Sequence, residues 1–378
     1  MKRNQADVAI VGAGIIGCAI ARELAGRGLR VIVVERDSPG RQASWAAAGM
    51  LSPFGEATGS EHFLELADES LRRYASFVNA LRDETGIDVE YRTNGRLHVS
   101  LGHADIELLE RLAEVPGAPR FDVIHMDGDA ARRLEPALSM HVAAALLIGR
   151  DHRVNNRLLM QALVASAAAA GADLRKERTV TAVVARDGAV TGLHLSSGEQ
   201  VEAAHIVIAA GAWSGGSGGL PRDLPVRPVR GQMFAVDARA SSDRAVPVVR
   251  HVVFARACYI VPREDGRLLI GATIEDVGFD DGPTPGGIGS LMAAAAEVVP
   301  LIEDLPLIET WAGFRPATRD DLPIIGPDPD LRGLIYATGH FRNGILLAPV
   351  TAAIVAALVA GEPPPVPLDA FSISRFAR

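Results

Sequence analysis

Short apolar runs and a helical pattern alternate at the start of the chain and predict its first elements. Asp7–Val11 and Leu29–Val34 are rich in β-branched residues, which is typical of buried parallel strands. Cys18–Gly26, between them, has the pattern of a helix. The first part of the chain is therefore predicted to run strand, helix, strand.

Comparable patterns return in the centre and near the end of the chain. Asn156–Ala170 is an Ala-rich helical stretch, with Asn155 as its N-cap and Gly171 as its stop. Strands bounded by turn residues are predicted at Thr179–Arg186, Ala189–Ser196, Gln200–Ala209 and Leu334–Ala337. Gly344–Gly361 is uncharged and contains Pro349, which favours a buried helix over a membrane span. Peripheral membrane contact is the less favoured alternative.

The intervening segments show a different pattern. Helices are predicted at Glu61–Gly86 and Asp105–Glu114, and a strand at Asp88–Ser100. Strands with the alternation of antiparallel sheets are predicted at Val226–Val236, Val248–Arg256, Cys258–Pro262 and Arg267–Thr273. These segments predict a second sheet, separate from the first.

Three glycines directly after the first strand have the spacing G-x-G-x-x-G. Gly12 allows a tight turn, Gly14 lets the backbone approach a pyrophosphate, and Gly17 lets the next helix lie close. Glu35 ends the second strand, where a carboxylate suits the hydroxyl groups of an adenosine ribose. The combination predicts an ADP-containing dinucleotide, whereas a glycine-rich turn without a ligand is less favoured.

The number of such motifs in the sequence indicates which dinucleotide is bound. No second G-x-G-x-x-G follows a predicted strand in the sequence, so one dinucleotide is expected, and FAD is favoured over NAD. The predicted fold is α/β, with a Rossmann-like FAD-binding domain formed by residues 1–55, 150–225 and 310–378. A substrate-binding domain of α+β type with an antiparallel sheet, formed by residues 56–149 and 226–309, is interleaved with it.

The composition narrows the partners and the compartment. A formal net charge of −8 argues against a nucleic-acid partner, which requires a basic face. Cys18 and Cys258 give no disulfide framework, and the ten histidines show no metal-ligand spacing, so no metal site is expected. A cytoplasmic location is predicted, with no cleavable signal peptide before the first strand.

Four blocks of sequence together resemble the D-amino acid oxidase family of FAD-dependent oxidoreductases. They are Gly40–Met50, Cys258–Pro262, Trp311–Gly326 and Gly339–Pro349. With the N-terminal glycine motif the resemblance spans the whole chain, and the last block is highly specific. Within the family, the sequence is most similar to the bacterial branch that oxidises glycine for thiamine biosynthesis.

The resemblance implies non-covalent FAD and oxidation of an amine to an imine by hydride transfer from Cα to flavin N5. With glycine and dioxygen, the products would be glyoxylate, ammonia and hydrogen peroxide. By the family's motifs, Arg315 binds the substrate carboxylate and Tyr259 donates a hydrogen bond to it. Arg342 stabilises negative charge on the flavin, and Met50 lines the pocket. Ala257 stands where the family often has a polar residue, which leaves substrate preference open.

The resemblance also assigns residues to FAD binding. Ala46–Met50 lets the backbone pass beside the isoalloxazine ring, and Gly339–Ile345 lies under its pyrimidine side. Ser44 and either Arg36 or Arg41 reach the phosphate or the adenine. The predicted set is Gly12, Gly14, Ile15, Ile16, Gly17, Glu35, Arg36, Ala43, Ser44, Ala48, Gly49, Met50, Val180, Gly211, His340, Phe341, Arg342, Asn343, Gly344, Ile345 and Leu346.

Other functions stay open at this stage. An oxidase or dehydrogenase of sarcosine, proline or small D-amino acids is one alternative, and an FAD-binding subunit of a multi-subunit dehydrogenase is another. Gly215–Gly219 matches the G-x-S-x-G spacing of hydrolases, but its glycine-rich flanks favour a loop. The sequence leaves the electron acceptor open, and also whether the chain forms a homo-oligomer.

Overall fold

A computed structural model describes residues 4–56, 60–114, 118–216, 219–241 and 248–377. The strands are β1 (Gln5–Val11), β2 (Val31–Val34), β3 (Met50–Leu51), β4 (Arg96–Ser100), β5 (Val123–Asp127), β6 (Ala144–Ile148), β7 (His152–Arg153), β8 (Asp173–Arg175), β9 (Val180–Arg186), β10 (Ala189–Leu195), β11 (Gln200–Ile208), β12 (Arg227–Asp237), β13 (Val252–Phe254), β14 (Tyr259–Pro262), β15 (Arg267–Gly271), β16 (Leu307–Ala317), β17 (Ile324–Pro327) and β18 (Leu334–Thr338). The helices are α1 (Ile15–Gly26), α2 (Ala43–Ala46), α3 (Pro53–Glu56), α4 (Glu61–Thr85), α5 (His103–Ala113), α6 (Gly128–Leu134), α7 (Asn156–Ala169), α8 (Pro285–Val298) and α9 (Gly344–Ala360).

The first sheet is mainly parallel and has the Rossmann-like arrangement that the sequence predicts. Its strand order is β17-β18-β11-β1-β2-β8, and β10 and β9 extend from β11 as antiparallel strands. β1 pairs in parallel with β2 on one side and with β11 on the other. Every residue of β2 is buried, as expected for a parallel strand with both faces covered.

The turn from β1 to α1 depends on two of the predicted glycines. Gly12 has a φ of +102°, and a Cβ there would lie 2.5 Å from the carbonyl oxygen of Ala209. A Cβ on Gly17 would overlap the carbonyl oxygen of Gly12. Helix α1 therefore lies close to the turn only because both positions lack a side chain.

The second sheet is largely antiparallel, with the order β16-β12-β15-β14-β13-β4-β6-β5. β12 and β16 have 11 residues each and pair antiparallel along almost their whole length. In contrast to the antiparallel pairs of this sheet, β13 runs parallel to β4. The predicted fold class, a parallel α/β sheet with a second antiparallel sheet, is confirmed.

Two predicted strands are wrong in extent. Of Asp88–Ser100 only β4 is extended in the sheet, because the chain turns at Glu90 and Gly95, whose φ angles are 54° and 83°. Of Val248–Arg256 only β13 is a strand. The N–H of Ala255 donates to the carbonyl oxygen of Cys258, and this bond closes the four-residue turn that ends the strand. The strands that were not predicted from the sequence are β3, β5, β6, β7, β8, β16 and β17.

The packing crosses the predicted domain boundaries at two places. α4 lies in the segment assigned to the substrate-binding domain, yet Leu66, Leu71 and Tyr74 join the core formed by α1, α7 and α9. β16 lies partly in the segment 310–378 assigned to the FAD-binding domain, yet the whole strand belongs to the second sheet. The two sheets alternate along the chain as expected, and the boundaries themselves stay a prediction.

Helix α9 continues through Pro349 because α4 supplies the missing hydrogen bond. Pro349 has no N–H to donate to the carbonyl oxygen of Ile345. The hydroxyl of Tyr74 donates to that oxygen at 2.9 Å, and Ser70 Oγ donates to the carbonyl oxygen of Leu346 at 2.6 Å. These buried bonds fix the first turn of α9 against α4.

Replacing Gly17 by alanine is expected to destabilise the fold. The added Cβ would meet backbone rather than a movable side chain, so the free energy of unfolding should fall by roughly 1–3 kcal/mol or more. Urea denaturation measures this change. Gly26 is the matched control, since it is exposed in the same helix with open space around it, and its replacement by alanine should stabilise by about 0.5–1 kcal/mol.

Candidate active site

A cavity of about 470 Å³ is lined by residues of both sheets. One wall is formed by the start of α1, the segment 43–50 and the start of α9, and the other wall by strands of the second sheet. The sequence-predicted residues that line it are Gly14, Ile15, Ile16, Ala43, Ser44, Ala48, Gly49, Met50, Gly211, Tyr259, Arg315, His340, Phe341, Arg342, Asn343, Gly344 and Ile345.

The start of α1 is an anion-binding helix terminus. Gly14 is the N-cap and has no side chain to cap the helix, so Ser44 Oγ accepts the N–H of Ile15 at 2.9 Å instead. Glu35 accepts the N–H of Ala13 with Oε2 at 2.8 Å, which holds the acidic residue beside the glycine turn. The positive end of the helix dipole and these N–H groups favour a phosphate at this end of the cavity.

Buried side chains hold the segment 43–50 against the cavity. Asn156 Nδ2 donates to the carbonyl oxygen of Ser44 at 2.9 Å. Arg263 is buried, and its Nη2 donates to the carbonyl oxygen of Ala48 at 2.8 Å. The small residues of this segment therefore present backbone, rather than side chains, to whatever the cavity binds.

The loop before α9 brings a second helix N-terminus to the cavity. Gly339 and Phe341 have φ angles of +71° and +45°, so the chain turns sharply before the helix. His340 is buried, and its Nε2 lies 3.1 Å from Thr351 Oγ1. The first helical residue, Gly344, lines the cavity, so the positive end of this 17-residue helix faces it.

Arg315 reaches the cavity over a glycine of the neighbouring strand. The residue lies on β16, and its Nη1 donates to the carbonyl oxygen of Thr273 at 3.0 Å. A Cβ on Gly231 of β12 would overlap the guanidinium. Gly231 therefore provides the space in which the guanidinium lies.

Tyr259 lies on the same face of the sheet as Arg315, on β14. Its ring covers Gly271, where a Cβ would lie 2.6 Å from the hydroxyl oxygen, and the hydroxyl donates to Met233 Sδ at 3.5 Å. Met233 follows Gly231 by two residues on β12, so the two positions lie on one face of the sheet, roughly 7 Å apart. The structure thus brings a guanidinium and a phenol together in one cavity.

Some predicted residues do not line this cavity. Gly12, Gly17 and Glu35 shape the glycine turn behind it, while Val180 starts β9 and Leu346 is buried in α9. The guanidinium of Arg36 stacks on the ring of Trp213 at 3.7 Å. Arg41 lines a separate, smaller pocket.

The sequence prediction missed part of the lining. Arg96 and His98 of β4 and Phe254 of β13 belong to the cavity, and so do the strand glycines Gly231 and Gly271. A glycine inside a strand often marks a close approach of another group, which is the signal that could have located these two. Among the described lining residues the charged side chains are all arginine: Arg96, Arg256, Arg315 and Arg342.

Burial keeps the histidines near the cavity neutral. It lowers the pKa of His340 to about 3, and burial together with the charge of Arg96 lowers the pKa of His98 to about 3. Burial also lowers the pKa of His152 to about 4. None of these three histidines carries a positive charge near neutral pH.

The buried histidines predict a loss of stability on acidification. Below a pKa of about 6.5 a histidine of the unfolded chain takes up a proton that buried His340 refuses, so the free energy of unfolding falls as pH falls. This residue should contribute a loss of about 1.4 kcal/mol between about pH 7.5 and 5.5. His340→Gln should remove that part of the pH dependence in urea denaturation. The same substitution at exposed His62 is the control. It should leave the slope of the free energy of unfolding against pH unchanged within experimental error.

The residues present fit FAD. The cavity joins the N-terminus of α1, beside a glycine that leaves space for a phosphate, to a wall of backbone at residues 46–50. Gly14 has an ordinary φ of −74°, so its lack of a side chain serves space rather than backbone strain. Arginines and two helix N-termini provide the positive surroundings that a pyrophosphate and a flavin require.

Comparison with known proteins identifies the class. A family model described as FAD dependent oxidoreductase (DAO) matches residues 7–358, so the chain belongs to this family, the D-amino acid oxidase family. The predicted family and its FAD dependence are thereby confirmed.

Individual relatives within the family carry more specific names. The glycine oxidase of Geobacillus kaustophilus is 38% identical over 372 residues, which cover 98% of this chain and 97% of the relative. The crystal structure of glycine oxidase from that organism superimposes with a TM-score of 0.92 at 37% identity, covering 98% of this chain and 99% of the other. An iminodiacetate oxidase from Chelativorans sp. BNC1 has a TM-score of 0.87 at 30% identity, with 97% and 98% covered.

A longer relative shares the same region. The bifunctional protein ThiO/ThiG of Trichormus variabilis is 38% identical over 375 residues. The match covers 98% of this chain and 55% of the relative, so the chain spans about half the length of such proteins.

Other predictions can be compared with the described residues. Within them, no helix combines the length and apolar character that crossing a bilayer requires. In the same part of the chain, no group of His, Cys, Asp and Glu could hold a metal ion. Ser217 and Gly218 of the G-x-S-x-G match lie outside the described residues, and a short 3₁₀ turn at Gly211–Ser214 precedes the motif.

Proposed function

We propose that the protein catalyses FAD-dependent oxidative deamination of glycine or another small amine-bearing acid, with dioxygen as the acceptor. The observation that carries the proposal is that Arg315, Tyr259 and Met50 line the same cavity as the glycine turn and the start of α9. A substrate held by its carboxylate would therefore meet the cofactor in one cavity. The names of the glycine oxidase relatives support the same reaction.

We place FAD along the wall formed by α1, segment 43–50 and α9. The pyrophosphate would lie at the N-terminus of α1 near Gly14 and Ser44, with Glu35 towards the ribose. Gly49 and Met50 would flank the flavin, and Gly344 at the start of α9 would face its pyrimidine side. FAD supplies, when bound, the acceptance of a hydride from the substrate carbon.

Arg315 and Tyr259 orient the substrate. A guanidinium binds a carboxylate through two parallel hydrogen bonds, and the nearby phenol donates a third. Glycine at positions 231 and 271 lets both groups reach the cavity floor. Held at its acid end, the substrate presents its Cα–H and amine to the opposite wall, so positioning accounts for much of the rate.

Positive groups, rather than a general base, complete the site. Arg342 and the N–H groups at the start of α9 stabilise the negative charge that develops as the amine is oxidised. His340 is held neutral and bonded to Thr351, so it neither adds charge nor takes the Cα proton. We infer that the neutral amine reacts directly by hydride transfer.

We infer that FAD is bound without a covalent bond. Cys18 and Cys258 are buried, and burial raises the pKa of each thiol to about 12. A protonated, buried thiol is a poor nucleophile.

The ThiO/ThiG relatives support a role in thiamine biosynthesis, which we place in the cytoplasm.

A substrate screen tests this function against its alternatives. The purified protein is assayed with glycine, sarcosine, proline and small D-amino acids, with peroxide detection beside an artificial electron acceptor. Turnover of glycine or sarcosine with peroxide release is expected. Turnover only with the artificial acceptor would indicate a dehydrogenase, and inactivity with every amine would favour an FAD subunit whose partner supplies the chemistry.

A further inference from the structure

The floor of the cavity is a continuous row of residues across five strands of the second sheet. Met233, Gly271, Tyr259, Phe254 and His98 are direct neighbours in the strand pairing, in that order. All five line the cavity. The row therefore extends from the position given to the substrate carboxylate to β4, roughly 10 Å beyond Tyr259 at two strand spacings.

A second guanidinium lies at the far end of this row. Arg96 precedes His98 by two residues on β4, so the two side chains lie on the same face. The guanidinium of Arg96 lies over the ring of Phe254, 4.9 Å from its centroid, and both charged groups of the pair it forms with Asp151 are buried. This end of the cavity has no role in the reaction described above.

Polar atoms at this end lack partners. The Nε of Arg96 donates to Asp151 Oδ2 at 2.7 Å, but Arg96 Nη2, His98 Nδ1 and Asp151 Oδ1 are buried without a hydrogen-bond partner. Arg96 is 3% exposed and His98 6% exposed. Buried polar groups are almost always paired, so the unpaired Arg96 N–H donor and the unpaired His98 ring nitrogen beside a cavity point to a ligand that the protein accommodates there.

We propose that Arg96 and His98 form a second anion-binding subsite, which favours amine-bearing acids that carry another acidic group distant from the first carboxylate. The inference rests on the proposed function, because it extends the same substrate cavity. The subsite lies on the sheet of Arg315 and Tyr259 rather than beside the glycine turn, so it faces substrate and not the FAD phosphates.

The charges in and around the cavity suit such a substrate. The described lining residues include four arginines and neither Asp nor Glu. The carboxylate that a bound anion must tolerate is that of Asp151, which pairs with Arg96 and does not line the cavity. Arg96 has five N–H donors, of which the bond to Asp151 engages one. Neutral His98 donates a ring N–H to an anion in its Nδ1-protonated tautomer, without adding charge.

Matched acid and amide substrates test the subsite on the FAD-loaded enzyme. Iminodiacetate is compared with its monoamide, and D-aspartate and D-glutamate with D-asparagine and D-glutamine. The first pair places the second group on the amine side, and the others place it on Cα. In at least one pair, kcat/KM for the acid should exceed that for the amide by about tenfold to hundredfold, because a charge-assisted hydrogen bond distinguishes them.

Variants identify the residue responsible. Arg96→Gln should bring the acid-to-amide ratio close to one, and Arg96→Lys should keep part of it. Because Arg96→Gln leaves the Asp151 carboxylate buried alone, the double variant with Asp151→Asn is measured as well. Arg153→Gln is the control, since this buried arginine donates to the carbonyl oxygen of Pro262 and lies outside the cavity lining, and it should leave the ratio within twofold.

The outcomes separate this inference from the proposed function. A ratio near one in every pair, or a high ratio that survives in the Arg96 variants, would overturn the subsite while leaving glycine oxidation intact. If no amine is oxidised, the proposed function fails instead. The subsite is then still tested by titrating the flavin absorbance with iminodiacetate and its monoamide, where equal affinities for the two would refute it.

Discussion

Replacing Arg315 by alanine is expected to lower kcat/KM for glycine by about 30-fold to several thousand-fold. Removing one partner of a desolvated charge pair typically costs roughly 2–5 kcal/mol, and each 1.36 kcal/mol is about tenfold in rate. The FAD content should not change, because the guanidinium lies over Gly231 in the second sheet, away from the glycine turn. Steady-state kinetics of the loaded enzyme, normalised to flavin absorbance, measures the effect.

Two comparisons show whether the loss comes from the carboxylate. Arg227→Ala removes an exposed arginine that pairs with Asp276 in the segment after β15, and it should leave kcat/KM nearly unchanged. An amine without a carboxylate should lose far less than glycine when Arg315 is removed. Near-normal glycine kinetics in Arg315→Ala would show that this residue does not bind the substrate.

Replacing Gly14 by valine should give a folded protein that purifies without FAD. Gly14 has a φ of −74°, which any residue adopts, and the nearest atom to an added Cβ is Ser44 Oγ at 3.3 Å. The fold should therefore tolerate the substitution, while the side chain fills the space assigned to the pyrophosphate. The flavin absorbance per protein should fall by more than tenfold, with an unchanged circular dichroism spectrum.

The position of this glycine makes the experiment specific. At Gly12 the φ of +102° and the contact with Ala209 would cause a substitution to damage the fold itself, so loss of FAD there would be uninformative. Gly14→Ala serves as the graded control and should retain more FAD than the valine variant. A yellow, fully loaded Gly14→Val protein would contradict the placement of the phosphate.

The N-terminal part of the site was predictable because its residues act through local geometry. The order strand, glycine turn, helix, strand and acid specifies where Gly12, Gly17 and Glu35 must lie, and the structure places them there. The segment Gly339–Ile345 was predictable for the same reason, since it forms a local turn that leads into the first residues of α9. The roles of these residues in binding FAD stay predictions that the Gly14 variant begins to test.

The rest of the site depends on strand pairing that local patterns do not reveal. Arg96 and Tyr259 are far apart in sequence and line one cavity only because β4 pairs in parallel with β13, which in turn pairs with β14. The bond from Tyr74 to the first turn of α9 likewise joins segments that no periodicity connects. The role of Arg315 was inferred from a family motif, whereas the glycine that makes room for it became visible only in the folded sheet.

An absorption spectrum of the purified protein, recorded before and after anaerobic addition of glycine, tests the central claim most directly. The proposed function predicts the two visible absorption bands of an oxidised flavin and their bleaching when glycine is added without oxygen. A protein that shows no flavin bands and cannot be reconstituted with FAD, or one whose bands persist with glycine and every other amine of the screen, would contradict it.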